Sequence, residues 1–247
     1  MPTKLYIVRG SHPCVTVERA LQLKGHPYEV TEWLPPTHAP AQRLLFGKRT
    51  VPGIRFDDGE KVQGSVAILE RLEQRFPEPP LVPADPALAE RVHDAERWGD
   101  EVLQPIPRRL VWWSLSRRPS AIPSYQAGSK LAMPPLLTAF VAPAIVPIQR
   151  RLNRVSDEST HADLRDLPGH LDRIDGWLAD GTLGGSREHV ADLQIAPSLR
   201  LLMTIEDLRG PFLERPAGQW AQRLFPEWGG TVPAGTIPAA WLEPLRG

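Results

Sequence analysis

The sequence has little cysteine and no excess of charge. One cysteine in 247 residues excludes an internal disulfide framework and any zinc or iron–sulfur site built from several thiolates. The 29 basic and 29 acidic side chains balance, which argues against a nucleic-acid-binding protein, since such proteins usually carry a basic excess. The single cysteine fits a reducing compartment, and the first residues lack the apolar stretch of a signal peptide. The seven histidines follow no metal-binding spacing, so we expect no metal site.

Long uncharged stretches are also scarce, and only one raises the question of membrane contact. Residues 131–148 contain no charged side chain and reach the lower length limit of a membrane-spanning helix. Four of them are proline, which would interrupt the helical hydrogen bonds repeatedly. We therefore expect a buried, kinked helical segment here and no membrane contact.

Proline, in contrast, is abundant, and its positions divide the chain. There are 28 prolines, about twice the usual share. Five of them fall within residues 77–86, which predicts a stiff, extended connection. Seven of the eight tryptophans lie beyond it. We predict an N-terminal domain over residues 1–78, a linker over 79–86 and a C-terminal domain over 87–247.

Hydrophobic spacing assigns a different class to each domain. The first contains β-prone stretches at 4–10, 28–34, 51–57 and 61–63. Helical spacing follows Pro13 and again Ser65, so the order is β-α-β and then β-β-α. Beyond the linker only helical patterns occur, over residues 86–118, 126–155, 160–179, 189–208 and 211–224. The fold class predicted is a small α/β domain followed by an all-α domain.

Three motifs in the first domain point to one family. They are Ser11-His12-Pro13-Cys14, Thr50-Val51-Pro52-Gly53-Ile54 and Gly64-Ser65-Val66-Ala67-Ile68, with a weaker Val190-Ala191-Asp192-Leu193 in the second domain. In this order and spacing they resemble the cytosolic glutathione transferases, and more narrowly their serine- or cysteine-type bacterial members. The resemblance covers nearly the whole chain and implies a thioredoxin-like domain followed by a helical one. It also implies a cytoplasmic homodimer that uses glutathione as co-substrate.

The first motif places a hydroxyl where thiol activation requires one. A free thiol is mostly protonated at neutral pH, so transfer chemistry needs a group that stabilises the thiolate. Ser11 lies between a predicted strand and helix, where its hydroxyl and the helix N-terminus could do this. The resemblance assigns the same role to Ser11. The alternative is that Ser11 only caps the helix.

Two neighbours of Ser11 are further catalytic candidates. Cys14 occupies the last position of the tetrad, where it could form a mixed disulfide in a glutaredoxin-like monothiol reductase. A dithiol mechanism is excluded because no second cysteine exists. Cys14 could equally be a small buried hydrophobic residue. His12 could handle a proton or simply belong to an exposed loop.

The second and third motifs are candidates for binding the thiol compound. The resemblance implies a cis peptide bond between Val51 and Pro52, which would let the backbone of Val51 pair with a peptide-like ligand. It also assigns the γ-glutamyl carboxylate to Ser65 at the start of a helix. Gly64 departs from the glutamate or glutamine usual at its position, which leaves room for a different low-molecular-weight thiol. Arg49 could bind a terminal carboxylate or be an ordinary solvated side chain.

The second substrate would lie between the domains. The resemblance implies a pocket for a small apolar electrophile, with four aromatic candidates for its lining: Trp98, Trp112, Trp113 and Tyr125. Their alternative is ordinary core packing. A third hypothesis keeps the fold without the chemistry, as a transferase-like protein that binds a ligand or a partner. The sequence thus favours a thiol transferase, with a Cys14 reductase and a non-catalytic binding protein as alternatives.

Overall fold

The N-terminal part is a four-stranded sheet with helices packed against it. The structure, a computed structural model, describes residues 1–245. The elements of this part are β1 (Lys4–Val8), α1 (His12–Leu23), β2 (Glu29–Trp33), α2 (His38–Phe46), β3 (Gly53–Arg55), β4 (Lys61–Gln63) and α3 (Ser65–Arg75). The strand order is β2-β1-β3-β4, with β1 parallel to β2 and antiparallel to β3. Leu5 and Ile7 alternate along β1 and are fully buried.

Helix α2 is an element that the hydrophobic pattern does not predict. It contains Pro40, and Leu44, one of its large apolar side chains, is 87% exposed. Its contact with the sheet depends on Phe46, whose ring packs edge-on against Tyr6 with 5.3 Å between ring centroids. Gly53 makes this possible, because a Cβ there would lie 2.8 Å from the Phe46 ring. The buried side chain of Gln42 also packs at Gly53, so the helix contacts the sheet through Phe46 and Gln42 rather than through an apolar stripe.

The C-terminal part is helical. After a connection over residues 76–85 come α4 (Pro86–Trp98), α5 (Pro105–Arg117), α6 (Pro135–Leu152), α7 (Asp157–Ala179), α8 (Val190–Leu202), α9 (Glu206–Leu213) and α10 (Pro216–Leu224). A π-helical turn, Gly99–Leu103, joins α4 to α5, and a 3-10 segment, Pro119–Gln126, follows α5. The structure confirms the predicted fold class, a thioredoxin-like α/β domain followed by an all-helical one.

Helix α8 is the centre of the helical part. All of its residues are buried. Its first turn is held by Asp192, whose carboxylate accepts the backbone N–H groups of His189 and Gly184, both at 2.8 Å. Helices α1, α4 and α10 pack against it. A fully buried helix needs such partners on every side, which explains why α8 has no polar face.

The two parts meet along α1 and α8. Thr16 of α1 donates its hydroxyl hydrogen to the carbonyl oxygen of Leu193 in α8, at 2.7 Å, and both residues are buried. Arg19 of α1 makes a two-pronged ion pair with Glu188, just before α8. Helix α1 therefore packs in the core of the N-terminal part on one side and against the helical part on the other.

Helix α6 corrects the expectation for residues 131–148. The sequence predicts a buried segment broken by proline, but α6 is continuous, with Pro143 and Pro147 inside it on its exposed side. It is also not buried throughout, since Leu136 is 87% and Phe140 83% exposed. None of the helices within residues 1–245 is both long and apolar enough to span a bilayer.

Candidate functional site

A cavity of about 490 Å³ lies between the two parts of the molecule. The sheet side contributes the turn between β1 and α1, the end of β2, the start of α2 and residues 49–51. The helical side contributes α5, the 3-10 segment and α6. Of the predicted site residues, six line the cavity: Ser11, His12, Arg49, Val51, Trp112 and Tyr125.

Ser11 occupies the turn where β1 ends and α1 begins. Its N–H donates to the carbonyl of Val8 at 3.1 Å, and its own carbonyl accepts the N–H of Cys14 at 3.0 Å. The backbone is thus fixed, yet the hydroxyl makes no capping hydrogen bond to the first amides of α1. The Ser11 side chain therefore does not cap α1. It hydrogen-bonds with Cys14 and lies at the positive end of α1, beside the cavity.

Cys14 does not line the cavity. It is 1% exposed, and burial raises the pKa of its thiol to about 12 in spite of hydrogen bonding to Ser11 and Val8. A thiol with such a pKa is almost entirely protonated at neutral pH and is a poor nucleophile. The geometry therefore gives Cys14 the packing role rather than the redox role.

His12 lines the cavity, but its ring forms a hydrogen bond between the N-terminal and C-terminal parts of the molecule. Its Nε2 lies 3.1 Å from the carbonyl oxygen of Gln104, just before α5, and the ring is buried. A carbonyl can only accept, so Nε2 must carry the proton in this bond. Burial, together with the nearby Arg108, holds the pKa of His12 well below its usual value. His12 is thus a neutral residue whose Nε2 cannot act as a base while this bond holds.

Val51 presents unpaired backbone groups to the cavity. The bond between Val51 and Pro52 is cis. Within residues 1–245 neither the N–H nor the C=O of Val51 makes a hydrogen bond. The preceding loop is held by Gln63, whose amide nitrogen donates to the carbonyls of Lys48 at 2.9 Å and Thr50 at 2.6 Å. An extended peptide could pair with Val51 as an added strand.

Ser65 has a buried hydroxyl without a partner. It is 3% exposed, and its Oγ accepts and donates no hydrogen bond within the described chain. Gly64 before it has φ of 98°, a conformation that glycine adopts without strain, and its N–H donates to the Pro52 carbonyl at 3.0 Å. Buried hydroxyls are normally hydrogen-bonded. An unpaired hydroxyl at the start of α3 is what a carboxylate ligand would satisfy.

Comparison with known proteins agrees with this geometry. The family model for the glutathione S-transferase N-terminal domain matches residues 5–80. That part of the chain is therefore similar to the glutathione S-transferase N-terminal domain. The maleylacetoacetate isomerase of Pseudomonas aeruginosa is 36% identical over 91 residues, a match that spans 34% of this chain and 42% of the isomerase.

Solved structures are similar to this chain over nearly its whole length. A β-etherase of Sphingobium superposes with a TM-score of 0.63 at 21% identity, covering 100% of this chain and 99% of that one. A glutathione S-transferase of Rhodospirillum rubrum gives a TM-score of 0.61 at 20% identity, covering 98% and 99%. The chain therefore has the glutathione S-transferase fold.

In this glutathione S-transferase fold, three residues near the end of β2 add polar groups that the sequence analysis did not weigh together. Trp33 Nε1 and His38 Nδ1 are buried, lack hydrogen-bond partners among residues 1–245, and line the cavity. Arg49 lies on the same lining and donates to the carbonyl of Leu152 in α6, at 3.0 Å. Trp33 ends a predicted strand, but His38 belongs to the unpredicted helix α2, so no sequence pattern connects them.

The four aromatic candidates separate into two pairs. Trp112 and Tyr125 line the cavity, whereas Trp98 and Trp113 do not. Trp98 packs edge-on against Trp177, with 5.2 Å between ring centroids, in a separate surface depression. Trp113 is fully buried, and its Nε1 donates to Asp157 at 2.8 Å. The cavity is thus lined by only half of the predicted aromatic set.

Tyr125 contacts the cavity with an un-ionised phenol. Burial raises its pKa to about 12, and its hydroxyl hydrogen-bonds with that of Thr204 at 2.7 Å. A phenol in this state offers apolar surface rather than a phenolate. Tyr125 therefore contributes to the shape of the cavity lining.

The lining of the cavity is basic. It contains five arginines and two histidines but no aspartate or glutamate among the described residues. Arg109 is neutralised by Asp163, at 2.6 and 2.5 Å. Arg108 instead donates to the neutral amide oxygen of Gln104, and burial lowers its pKa. Arg108 is a residue that sequence reasoning missed, because arginines on a predicted helix are usually solvated. No cluster of side chains suited to a metal ion occurs within residues 1–245.

Proposed function

We propose that the protein activates the thiol of glutathione, or of a related low-molecular-weight thiol, for attack on a small apolar electrophile. The observation that supports this most directly is the position of the cavity. It connects the hydroxyl of Ser11 with apolar side chains of α5 and α6. A thiolate held at Ser11 would therefore meet an electrophile bound against those helices.

The chemistry needs one ionisation and one substitution. The thiol loses its proton to water, and the thiolate is stabilised by the Ser11 hydroxyl and by the N-terminus of α1. The sulfur then forms a bond to the electrophilic carbon, and the leaving group departs with its electron pair. The protein contributes orientation and charge stabilisation, and no oxidation or reduction takes place.

The shape of glutathione fits the groups that lack partners. One carboxylate would receive the hydroxyl of Ser65 and the first amides of α3, and the peptide backbone would pair with Val51. The other carboxylate would reach the polar group at Trp33, His38 and Arg49. Glutathione would thus satisfy buried polar atoms that otherwise have no hydrogen bond, and such atoms are costly to leave unpaired.

The decisive experiment compares two adjacent residues. We expect Ser11→Ala to lower glutathione-dependent conjugation of an aryl halide by at least tenfold, on the usual magnitude for a lost charge-assisted hydrogen bond. Cys14→Ala is the matched control and should keep most of the activity. Unchanged activity in Ser11→Ala would contradict the role of Ser11, and loss of activity only in Cys14→Ala would favour the reductase.

Thiol identity is tested separately by thermal denaturation. Glutathione at 100 times its dissociation constant should stabilise the folded protein by about 2.7 kcal/mol. A panel of low-molecular-weight thiols identifies the preferred one. Absence of stabilisation by every thiol would favour the non-catalytic hypothesis.

A glutathione-dependent isomerase is a second candidate. It is supported by the match to maleylacetoacetate isomerase and by the zeta-class maleyl pyruvate isomerase, which superposes with a TM-score of 0.60 at 21% identity. The basic lining also favours a substrate with carboxylates. In this reaction the thiolate would add to an electron-poor double bond, rotation would follow, and elimination would regenerate the thiolate. Isomerisation without a stable glutathione conjugate as product distinguishes it from transfer.

Two further properties stay predictions. A homodimer follows from the family resemblance, and light scattering of the purified protein tests it. Cytoplasmic location follows from the same resemblance, and fractionation of cells that express the chain tests it.

A further inference from the structure

Helix α6 forms one side of the cavity. Its inner face contributes Val141, Ile145 and Gln149, which recur at every fourth position and all line the cavity. On the opposite side of the helix Leu136 and Phe140 are exposed. One helix thickness therefore separates this side of the cavity from solvent.

Little apolar burial holds α6 in place. Four of its 18 residues are buried, and two of these, Thr138 and Gln149, are polar. Gln149 Nε2 has no hydrogen-bond partner among residues 1–245, although buried amide groups are normally paired. In α8, by comparison, all 13 residues are buried. Elements with few buried apolar contacts open at a low cost in free energy, so α6 depends on other contacts to stay over the cavity.

The first of these contacts is made by a carboxylate of β2. One oxygen of Glu32 accepts the hydroxyl of Ser129 at 2.7 Å and the backbone N–H of Lys130 at 2.9 Å, just before α6. The other oxygen accepts Arg9 Nε at 2.8 Å. Burial alone would raise the pKa of Glu32, but these hydrogen bonds hold it below its usual value. Glu32 is therefore charged at neutral pH, and hydrogen bonds to a charged acceptor are the stronger class.

The second contact lies at the other end of α6. Arg49 donates to the carbonyl oxygen of Leu152, the last residue of the helix, at 3.0 Å. Arg49 is exposed and makes one bond to α6, whereas the Glu32 side chain is 4% exposed and accepts two from the segment before α6. The 18-residue helix, about 27 Å long, is thus attached to the N-terminal part of the molecule at both of its ends, with Glu32 as the stronger attachment.

The attached segment is bounded by two residues in the left-handed region of backbone space. Gly128 has φ of 76°, and Arg154 has φ of 55°. Arg154 is the one residue other than glycine with a positive φ among residues 1–245, a conformation that such residues seldom adopt. Rotation about a few backbone bonds at loop positions of this kind can move a helix as a unit.

We propose that α6 is a lid over the cavity and that Glu32 is the positioning residue that keeps it closed. When the bonds from Ser129 and Lys130 to Glu32 break, α6 swings outward about Gly128 and Arg154, and the cavity opens. When they reform, the inner face of α6 returns and excludes water. The lid needs no thiol chemistry, but its use in admitting the electrophile rests on the proposed function.

A distance measurement on the full chain tests the lid directly. Spin labels are attached at Leu44→Cys on α2 and Leu136→Cys on α6, because both leucines are 87% exposed. The background is Cys14→Ala, which removes the single native cysteine. Double electron–electron resonance then gives a shorter distance for the closed lid and a longer one for the open lid. Dilution with unlabelled protein restricts the signal to distances within one chain.

Substitutions at Glu32 should change this distribution in a graded way. Glu32→Ala should raise the ratio of long to short distances by about tenfold or more, the usual effect of losing hydrogen bonds to a charged group. Glu32→Gln keeps the shape without the charge and should give an intermediate ratio. Circular dichroism verifies that each variant is folded.

Glu18 provides the matched control. It is the other carboxylate that pairs with Arg9, at 3.4 Å, and it makes no hydrogen bond to Ser129 or Lys130 within residues 1–245. Glu18→Ala should therefore show the distance distribution of the parent. An unchanged distribution in Glu32→Ala, or an equal change in Glu18→Ala, would overturn the proposal.

Size selectivity connects the lid with the proposed function. If a bulky aryl electrophile enters only the open state, its kcat/KM follows the open fraction, so Glu32→Ala should raise it about tenfold relative to that of a small electrophile. Glu18→Ala should leave the ratio unchanged. An altered distance distribution with an unaltered ratio would refute the role of the lid in substrate entry. If the parent conjugates no electrophile at all, the proposed function fails, while the distance measurement still decides whether the lid exists.

Discussion

The two walls of the cavity use different physical interactions. The sheet wall offers the hydroxyl of Ser11, the unpaired backbone of Val51 and, behind them, the buried hydroxyl of Ser65. The helical wall offers apolar side chains together with Arg108 and Arg154, neither of which pairs directly with an acid among the described residues. Hydrogen bonds are directional and suit one constant ligand, whereas apolar contact is not directional and tolerates many. In the proposed function, the thiol compound would therefore bind to the sheet wall and the electrophile to the helical wall.

The largest effect that we expect is the loss of stability at high pH caused by ionisation of Cys14, which is buried and does not line the cavity. Because burial raises the pKa of Cys14 to about 12, the folded protein keeps the thiol neutral where the unfolded chain ionises. Its contribution to stability is complete below the unfolded pKa and is lost as the pH rises from about 9 toward 12. The free energy of unfolding should fall by about 1.4 kcal/mol per pH unit in that range.

Urea denaturation at several pH values measures this loss. Cys14→Ala should show a flatter dependence above pH 9, whatever its stability at neutral pH. An identical slope in the variant would show that the thiol ionises normally, and the reductase hypothesis would then regain support.

The next largest effect tests the sheet wall itself. Ser65→Ala should weaken glutathione binding by at least tenfold, since a hydrogen bond to a charged group contributes about 1.5–3 kcal/mol. Stability should hardly change, because the Ser65 hydroxyl has no partner in the protein. Calorimetric titration measures the affinity.

Ser114 provides a matched control for Ser65. Like Ser65 it is a buried serine that does not line the cavity and whose hydroxyl lacks a partner, but it belongs to α5 rather than to the start of α3. Ser114→Ala should leave the affinity for glutathione unchanged. Equal losses in both variants would mean that Ser65 acts through general packing.

A comparable but more selective effect is expected at the helical wall. Arg108→Leu should lower kcat/KM about tenfold for an electrophile with a carboxylate, and hardly at all for its neutral amide, because only the acid gains from the guanidinium. Arg173→Leu, an exposed arginine stacked over Trp98 and away from the cavity, is the control. An equal loss of kcat/KM with the acid and the amide would mean that Arg108 holds the helical wall in place and does not bind the carboxylate.

The smallest effect separates the two tryptophans. Trp112 lines the cavity, so Trp112→Ala should raise KM for the electrophile about threefold through lost apolar contact. Trp98→Ala should leave KM unchanged and lower only the melting temperature, because Trp98 packs on Trp177. A larger KM change from Trp98 than from Trp112 would contradict the assignment of the helical wall.

The sequence predicts the sheet wall much better than the helical wall. Ser11, Val51 and Ser65 are placed by local structure, namely a strand–helix turn, a bond before proline and a helix start. Such positions follow from a few neighbouring residues, so short motifs identify them. The fold class is predictable for a similar reason, since the spacing of hydrophobic residues along the chain indicates the order of strands and helices.

The helical wall depends on which face of each helix turns toward the sheet. Trp112 and Trp113 are adjacent, yet one lines the cavity and the other is core. Arg108 and Arg109 are also adjacent, but only Arg109 has an acidic partner. Tertiary packing decides which residue of each pair lines the cavity or finds an acidic partner. The spacing of hydrophobic residues in the sequence does not indicate this. The hydrophobic pattern does not predict helix α2, because Phe46 and the buried polar Gln42 pack at Gly53 in place of an apolar stripe.

The buried contact between Thr16 of α1 and Leu193 of α8 has a consequence for how the protein opens. Because α1 is core to both parts, neither part can unfold locally without exposing it. The amide hydrogens of α1 and α8 should therefore exchange with solvent at the same slow rate, set by global unfolding. The outward-facing α6, in contrast, should exchange through smaller fluctuations. The chain is thus one cooperative unit that carries a more weakly held helix at its surface.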